Sequence, residues 1–114
     1  MTKGLSLPEE YINQACDLFR LLSDKTRLSV LLLLSKGEQN VGQLCLQLDL
    51  PQPTVSHHLA LMRMSGLINK RRQGKQMIYR INFEMLRDMG LKLIEHVSEN
   101  GKQIKVDQFT FSMV

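Results

Sequence analysis

A three-residue link between two helical segments restricts the fold of this chain more than any other feature. Before the link, apolar residues recur at the i, i+3, i+4, i+7 spacing of an amphipathic helix, at Val41, Leu44, Cys45 and Leu48. After the link, Asp49-Leu50-Pro51, a second helix is predicted over about 52–64, where Pro53 is tolerated because it lies in the first turn. Two helices joined by so tight a turn form a helix-turn-helix.

A glycine-containing turn, Gln73-Gly74-Lys75, separates two segments that are predicted to be extended, 67–72 and 76–81. Because side chains alternate along a strand, those of Met77, Tyr79 and Ile81 should share one face of this hairpin. A hairpin directly after a helix-turn-helix is a wing. We therefore predict a mainly α (α+β) fold, a winged helix-turn-helix with about five helices and a two-stranded β-hairpin wing.

Three more helices are predicted around this unit. Residues 8–22 form the first, with Ser6 as its N-cap and acids in its first turn. Ser23 or Asp24 can cap the second, which ends at Lys36-Gly37. The last, about 82–99, carries a 3-4-3-4 apolar repeat typical of a seam for another helix: Phe83, Leu86, Gly90, Leu93 and Val97. Residues 102–114 form a tail of open role, and 1–114 is predicted to be one domain.

The positive charge of the chain is concentrated in one segment. The formal net charge of the 114 residues is +4, yet residues 50–83 hold six bases and no acid, whereas the other 80 residues hold nine bases and eleven acids. A basic segment on a slightly acidic body is the electrostatic footprint of a polyanion-binding protein. The alternative is a solvated basic face without a partner.

The ordered motifs resemble those of the ArsR/SmtB family of bacterial winged-helix repressors: VGQLCLQLDLPQPTVSHHL, the strand start GLI and RRQGKQMIYRI, preceded by KTRLSVLLLL. The resemblance covers about residues 12–99. It implies a homodimer that binds palindromic operator DNA and releases it on sensing a signal. It also implies that the first and last helices form the dimer interface, with the candidates Ala15, Leu18, Phe19, Leu22, Phe83, Leu86, Gly90, Leu93 and Val97.

The outer face of the second helix of the helix-turn-helix is predicted to read DNA. At 100° per residue, Val55, Leu59 and Met62 face the core, and the opposite side faces outward. Glutamine can bond adenine twice, serine, threonine and histidine can donate to bases or phosphates, and the wing bases can bind phosphates. The candidate DNA-binding residues are Gln52, Thr54, Ser56, His57, Arg63, Lys70, Arg71, Arg72 and Lys75.

Two details of this helix qualify that expectation. Where the family often has serine or threonine just before the helix, this chain has Pro51, which has no donor for a phosphate. His57 and His58 are adjacent, so they lie about 100° apart around the helix, whereas one metal ion held by one helix needs i, i+3 or i, i+4 spacing. We predict DNA contact for His57 and half-buried packing for His58.

Sensor sites known in the family are incomplete in this sequence. Gln39-Asn40-Val41 stands where one such site has cysteines, and Cys45 further along is interpreted as a core residue. At a second site, between the last helices of two subunits, Phe83 and Met85 replace the first ligand pair. His96 and Glu99 keep the second pair there. We predict no cofactor and no metal, with His96 and Glu99, or the thiols of Cys16 and Cys45, as the alternative sensor sites.

The leading functional interpretation is a sequence-specific transcriptional repressor without catalysis, released from double-stranded operator DNA by an unknown inducer. The alternative is a nucleoid-associated protein that binds DNA with little sequence choice. No phosphate-binding glycine loop or nucleophile–base motif indicates an enzyme. The sequence has no apolar run of about 18 residues and no secretion-type start, so we expect a cytoplasmic protein without a membrane span.

Overall fold

The computed structural model describes the backbone of residues 4–101 and the side chains of residues 4–98. Within these residues the elements are α1 Glu9–Leu22, α2 Lys25–Leu34, β1 Gln39–Asn40, α3 Val41–Leu48, α4 Gln52–Met64, β2 Ile68–Gln73, β3 Gln76–Ile81 and α5 Phe83–Gly101. The predicted winged helix-turn-helix is thereby confirmed. None of the described helices is long and apolar enough to cross a membrane. The predicted tail, 102–114, lies outside the described residues.

Side-chain caps begin α2 and α3. The carboxylate of Asp24 accepts the backbone N–H of Arg27 at 3.0 Å, so Asp24 rather than Ser23 caps α2. At α3, the side-chain oxygen of Asn40 accepts the N–H of Gln43, and the side-chain oxygen of Gln43 accepts the N–H of Asn40, both at 2.8 Å. This reciprocal capping box satisfies two helix-terminal donors and fixes where the helix-turn-helix begins.

The predicted cap of α1 is wrong. The helix begins at Glu9 with Pro8 at the N-cap position and no side-chain cap. Ser6 instead lies 2.9 Å from Nδ1 of His96 on α5, a contact between residues that are 90 positions apart. α5 also meets α1 through the hydroxyl of Tyr11, which donates to the carbonyl of Met89 at 2.6 Å. The N-terminal segment is therefore held by the last helix.

The link between α3 and α4 depends on one left-handed residue. Asp49 has φ 54° and ψ 47°, and its N–H bonds the carbonyl of Cys45. Aspartate and asparagine tolerate this region better than other residues with a side chain. The chain thus reverses out of α3 within three residues and enters α4 at Gln52, as the sequence predicted.

The sheet has three antiparallel strands in the order β1-β3-β2. β2 and β3 are the predicted two-stranded wing, and a third strand that the sequence did not predict is added beside β3. The added strand, β1, pairs Gln39 with Tyr79 and Asn40 with Ile78. Its position is held by the Gln39 side chain, which donates to the carbonyl of Leu33 at 2.8 Å. Two residues are too few to show alternation in a sequence, which is why this strand was missed.

The wing is a tight hairpin. Gln73 pairs with Gln76, so Gly74 and Lys75 alone form the turn. Gly74 has φ 65°, and a positive φ at the first central residue is the requirement of a type II′ turn. At the base of the wing, Ile68 pairs with Ile81 and both are buried.

One apolar cluster joins the helices to the base of the wing. Its buried members come from all elements except β1, α5 and the wing tip: Leu18, Val30, Leu31, Leu34, Leu44, Val55, Leu59, Met62, Leu67, Ile68 and Ile81. Cys45 packs against this cluster, in keeping with its interpretation as a core residue. The cluster holds α4 between α2, α3 and the sheet.

Asp24→Ala should lower the Tm by several degrees near neutral pH, because it removes the N-cap of α2. The bond from the Arg27 N–H lowers the pKa of the Asp24 carboxyl against an opposing effect of burial, and the charges of Arg27 and His58 lower it further. A lowered folded-state pKa adds stability that is present above the unfolded-state value and lost as pH falls through the folded-state value.

The difference in Tm between parent and Asp24→Ala should therefore shrink below about pH 4 when thermal melts are compared across pH. Asp24→Asn is the matched control, because it keeps an oxygen acceptor and removes only the charge. A deficit that grows in acid would contradict this account of the cap.

Candidate nucleic-acid interface

α4 presents opposite faces to the core and to solvent. Val55, Leu59 and Met62 are each no more than 1% exposed, which confirms the inner face predicted from helical spacing. The predicted DNA-binding residues of this helix lie elsewhere on it: Gln52, His57 and Arg63 are exposed, and Thr54 and Ser56 are half-buried. The helix can therefore offer hydrogen-bonding side chains without disturbing its packing.

The start of α4 offers a phosphate few main-chain donors. Pro51 occupies the N-cap position without a side-chain bond, and its carbonyl accepts the N–H groups of Thr54 and Val55 at 3.1 and 3.2 Å. Neither Pro51 nor Pro53 has an N–H. Polar contacts between the start of α4 and a phosphate would therefore come mostly from side chains.

A groove of about 540 Å³ separates α4 from the wing. α4 contributes Gln52 and Ser56 to its lining, and the chain at the start of α3 contributes Asn40, Val41 and Gly42. The wing contributes Lys75, Gln76, Met77 and Tyr79. The fold thus brings two predicted readers and one predicted phosphate-binding lysine to the same cleft.

The wing cations divide between the two faces of the hairpin. Lys70 pairs with Tyr79 and Arg72 with Met77, so both bases share the face whose partners line the groove. Paired residues of an antiparallel ladder lie on the same face. All four wing bases, Lys70, Arg71, Arg72 and Lys75, are exposed.

Arg71 differs from the other wing bases. Its guanidinium forms an ion pair with Glu38 and donates to the side chain of Gln73 at 2.9 Å. The segment 50–83 has no acid along the chain, but folding brings one from outside it. Glu38 and its partner are both well exposed, so water screens the pair, and its contribution to stability is small.

The adjacent histidines have different surroundings. The ring centroids of His57 and His58 lie 5.8 Å apart at an interplanar angle of 60°. His57 is exposed, whereas His58 is half-buried, with its Nδ1 3.2 Å from a guanidinium nitrogen of Arg27. No group of three metal-ligating side chains occurs among the residues whose side chains are described.

The predicted interface residues of α1 and α5 fall into three groups by their exposure in the single chain. Ala15 and Leu18 are only 7% and 6% exposed within the single chain, and Leu18 belongs to its core. Both side chains are covered within the single chain, and their assignment to a dimer interface stays a prediction. Leu22, Leu86 and Gly90 are half-buried, and Phe19, Phe83, Leu93 and Val97 are exposed.

The candidate sensor residues are dispersed. His96 contacts Ser6 at the N-terminal side of α1, and the side chain of Glu99 lies outside the described residues. Both cysteines are free thiols, with Cys16 exposed on α1 and Cys45 half-buried on α3. Gln39 and Asn40, at the position of the family's cysteine site, are engaged in strand pairing and in the cap of α3.

Two charged residues near this interface were missed by sequence reasoning. Glu38 and Arg27 reach Arg71 and His58 across 33 and 31 positions of sequence. Neither residue belongs to a motif of the helix-turn-helix or the wing. Local spacing carries no signal for such contacts, since they exist only once the elements have packed.

Known proteins resemble this arrangement in sequence and in fold. Residues 24–70 match the family described as "Bacterial regulatory protein, arsR family". The HTH-type transcriptional regulator KmtR of Mycobacterium tuberculosis H37Rv is 35% identical over 98 residues, which span 86% of this chain and 75% of the relative. The chain belongs to the ArsR family of bacterial regulatory proteins.

Other similarities agree with membership of the ArsR family. The arsenical resistance operon repressor of Escherichia coli K12 is 53% identical over 66 residues, and the match spans 57% of this chain but only 56% of that protein. The crystal structure of the transcriptional repressor BigR from Xylella fastidiosa superposes with a TM-score of 0.63 at 32% identity, covering 80% of this chain and 89% of that one. These relatives are named regulators and repressors of transcription, not enzymes.

Replacing Lys70 and Arg72 together by alanine should weaken binding to every DNA duplex alike, because contacts with phosphates carry no sequence information. The slope of log K against log salt should fall by about 0.9 for each phosphate that the variant no longer binds. Fluorescence anisotropy with operator and random duplexes over a salt series would measure both the affinities and the salt slope.

Arg71→Ala is the matched control, since Arg71 pairs with Ile78 and therefore lies on the opposite face of the wing from Lys70 and Arg72. It should change the salt slope less than either single substitution at Lys70 or Arg72. An unchanged slope in the double variant would remove the wing from the DNA interface.

Proposed function

We propose that this ArsR-family regulator acts as a cytoplasmic homodimer that binds double-stranded operator DNA by sequence and is released from it by a signal. The observation that carries the proposal is the groove between α4 and the wing, where exposed polar side chains of a firmly packed helix stand beside a cationic hairpin. A helix of this kind fits the major groove, and a basic hairpin fits the adjacent backbone.

The side chains of α4 and of the wing suit different contacts with DNA. Gln52, Ser56 and His57 carry donors and acceptors that can distinguish base edges. Lys70, Arg72 and Lys75 carry charges that attract phosphates of any sequence. A purely non-specific nucleoid protein needs only the second set, so the polar outer face of α4 favours a sequence-specific regulator.

Dimerisation is supported by apolar side chains that the single chain leaves uncovered. Phe19 on α1 and Phe83, Leu93 and Val97 on α5 are all exposed. Gly90 lies on the same helix, and an added Cβ there would meet no atom within 4 Å. A second copy of these helices would bury this surface, and two copies would present two recognition helices to a palindrome.

Phe19→Glu should convert the protein from dimer to monomer in analytical ultracentrifugation at micromolar concentration. The single chain should still fold, because the Phe19 side chain is 59% exposed. Leu46→Glu is the matched control, since Leu46 is 84% exposed but lies on α3. A parent protein that sediments as a monomer and still binds operator tightly would contradict the dimer.

His57→Ala should reduce the preference for operator over random DNA. Removal of a base contact costs about 1–3 kcal/mol on the correct sequence and less where the contact is not made. Operator fragments are first selected from genomic DNA, and binding is then compared in chelator-treated protein. Met64→Ala, an exposed change at the far end of the same helix, should leave the preference intact. Full preference in metal-free His57→Ala would exclude His57 as a reader.

The signal would act at one of two candidate sites. His96 with Glu99, and Cys16 with Cys45, remain the alternative metal- or thiol-sensing sites. The similarity to an arsenical resistance repressor makes a metalloid a reasonable first inducer to assay, although Gln39, Asn40 and Val41 have no thiol to bind it.

A further inference from the structure

Arg27 connects the first helix to the recognition helix. It belongs to the first turn of α2, where its N–H is held by Asp24. Its Nε donates to the carbonyl of Leu21 in the last turn of α1 at 2.6 Å. One of its terminal nitrogens lies 3.2 Å from Nδ1 of His58 on α4. One side chain therefore spans three helices.

The chemistry of the pair fixes the direction of the hydrogen bond. Arginine has only donors, so the guanidinium donates and Nδ1 of His58 accepts with its lone pair. The ring of His58 in turn stands edge-on to that of His57, the outward-facing neighbour.

A directional hydrogen bond refines the position that packing gives α4. The buried stripe of α4 sets the depth and the approximate rotation of the helix, but hydrophobic contacts are non-directional. A hydrogen bond weakens steeply as its geometry departs from linearity. The bond to His58 therefore refines the rotation of α4 about its own axis, and with it the direction of His57.

We propose that Arg27 and His58 are positioning residues for DNA recognition, which couple the end of α1 to the orientation of His57 at the base edges. The inference rests on the proposed function. It also gives a route by which α1, which carries the exposed Phe19, can influence the recognition helix.

The charged groups around His58 determine how its hydrogen bond with Arg27 should respond to pH. From α2 it faces the Asp24 carboxylate and the Arg27 guanidinium, and on α4 it faces His57. α1 contributes the Leu21 carbonyl, and the sequence of α3 has no acid or base. A proton on Nδ1 of His58 would remove the acceptor and set two cations together, so we expect acid to loosen the link.

The test uses paired substitutions and a selected operator. Arg27→Met removes the donor, and His58→Leu removes the acceptor, whereas His58→Asn keeps an acceptor oxygen close to the position of Nδ1. Ser23→Ala is the matched control, because Ser23 makes another side-chain contact of the α1–α2 junction, to the Arg20 carbonyl at 2.7 Å, that does not reach α4. Thermal melts establish which variants are folded.

Arg27→Met and His58→Leu should each lower the preference for operator over random DNA by about fivefold or more, the lower limit for removal of one base contact. Affinity for random DNA should stay near that of the parent. The double variant should lose no more than either single variant, because both break one link. His58→Asn and Ser23→Ala should retain the preference.

Two further measurements separate positioning from simple structural support. Arg27 reaches His57 only through His58. In the Arg27→Met background, His57→Ala should nevertheless cause little further loss of the preference for operator over random DNA. Between about pH 8 and pH 5, where histidine titrates, the parent should lose preference with acid more than His58→Asn does.

Operator preference that survives in folded His58→Leu, or affinity that falls equally on operator and random DNA, would overturn the inference. If Arg27→Met fails to fold, the comparison of operator preference between His58→Leu and His58→Asn tests the inference alone. A parent protein without preference for any selected fragment would instead refute the proposed function, so the two failures are distinguishable.

Discussion

The packing of one apolar stripe of α4 against the core determines which face of this helix the protein can present to DNA. Val55, Leu59 and Met62 lie among Leu44 of α3 and Leu34 of α2. Burial of each of the three side chains stabilises the fold by about 1.5–3 kcal/mol. A rotation of α4 that turned this stripe outward would forfeit most of that stabilisation. The outward direction of the polar face that carries Gln52 and His57 is thus a consequence of hydrophobic packing, which the bond to His58 then refines.

Charge adds a second constraint that acts on the wing. The body of the chain is slightly acidic and the segment 50–83 carries only basic charges in sequence, so the long-range field favours approach of a polyanion from the wing side. The ion pair of Arg71 with Glu38 modulates this field locally. Lys70 and Arg72 stand on the other face, beside the groove. In the proposed function, affinity and sequence choice therefore come from neighbouring but separate sets of side chains.

Sequence reasoning succeeded where a local period determines the structure. The spacing of Val55, Leu59 and Met62 predicted the buried face of α4, and the glycine turn at Gly74 predicted the wing. It failed where the deciding contact is remote in sequence. Ser6 bonds His96 instead of capping α1. β1 was not predicted, because a two-residue strand is defined only by its pairing with another strand.

Chemical interference on a selected operator tests most directly the central claim that α4 reads the major groove. Dimethyl sulfate methylates guanine N7 in the major groove and adenine N3 in the minor groove, and bound and free duplexes are then compared base by base. The account predicts that N7 methylation blocks binding at two symmetric clusters about 10 base pairs apart or a multiple of that distance. Interference only from adenine N3, or from no base at all, would contradict it.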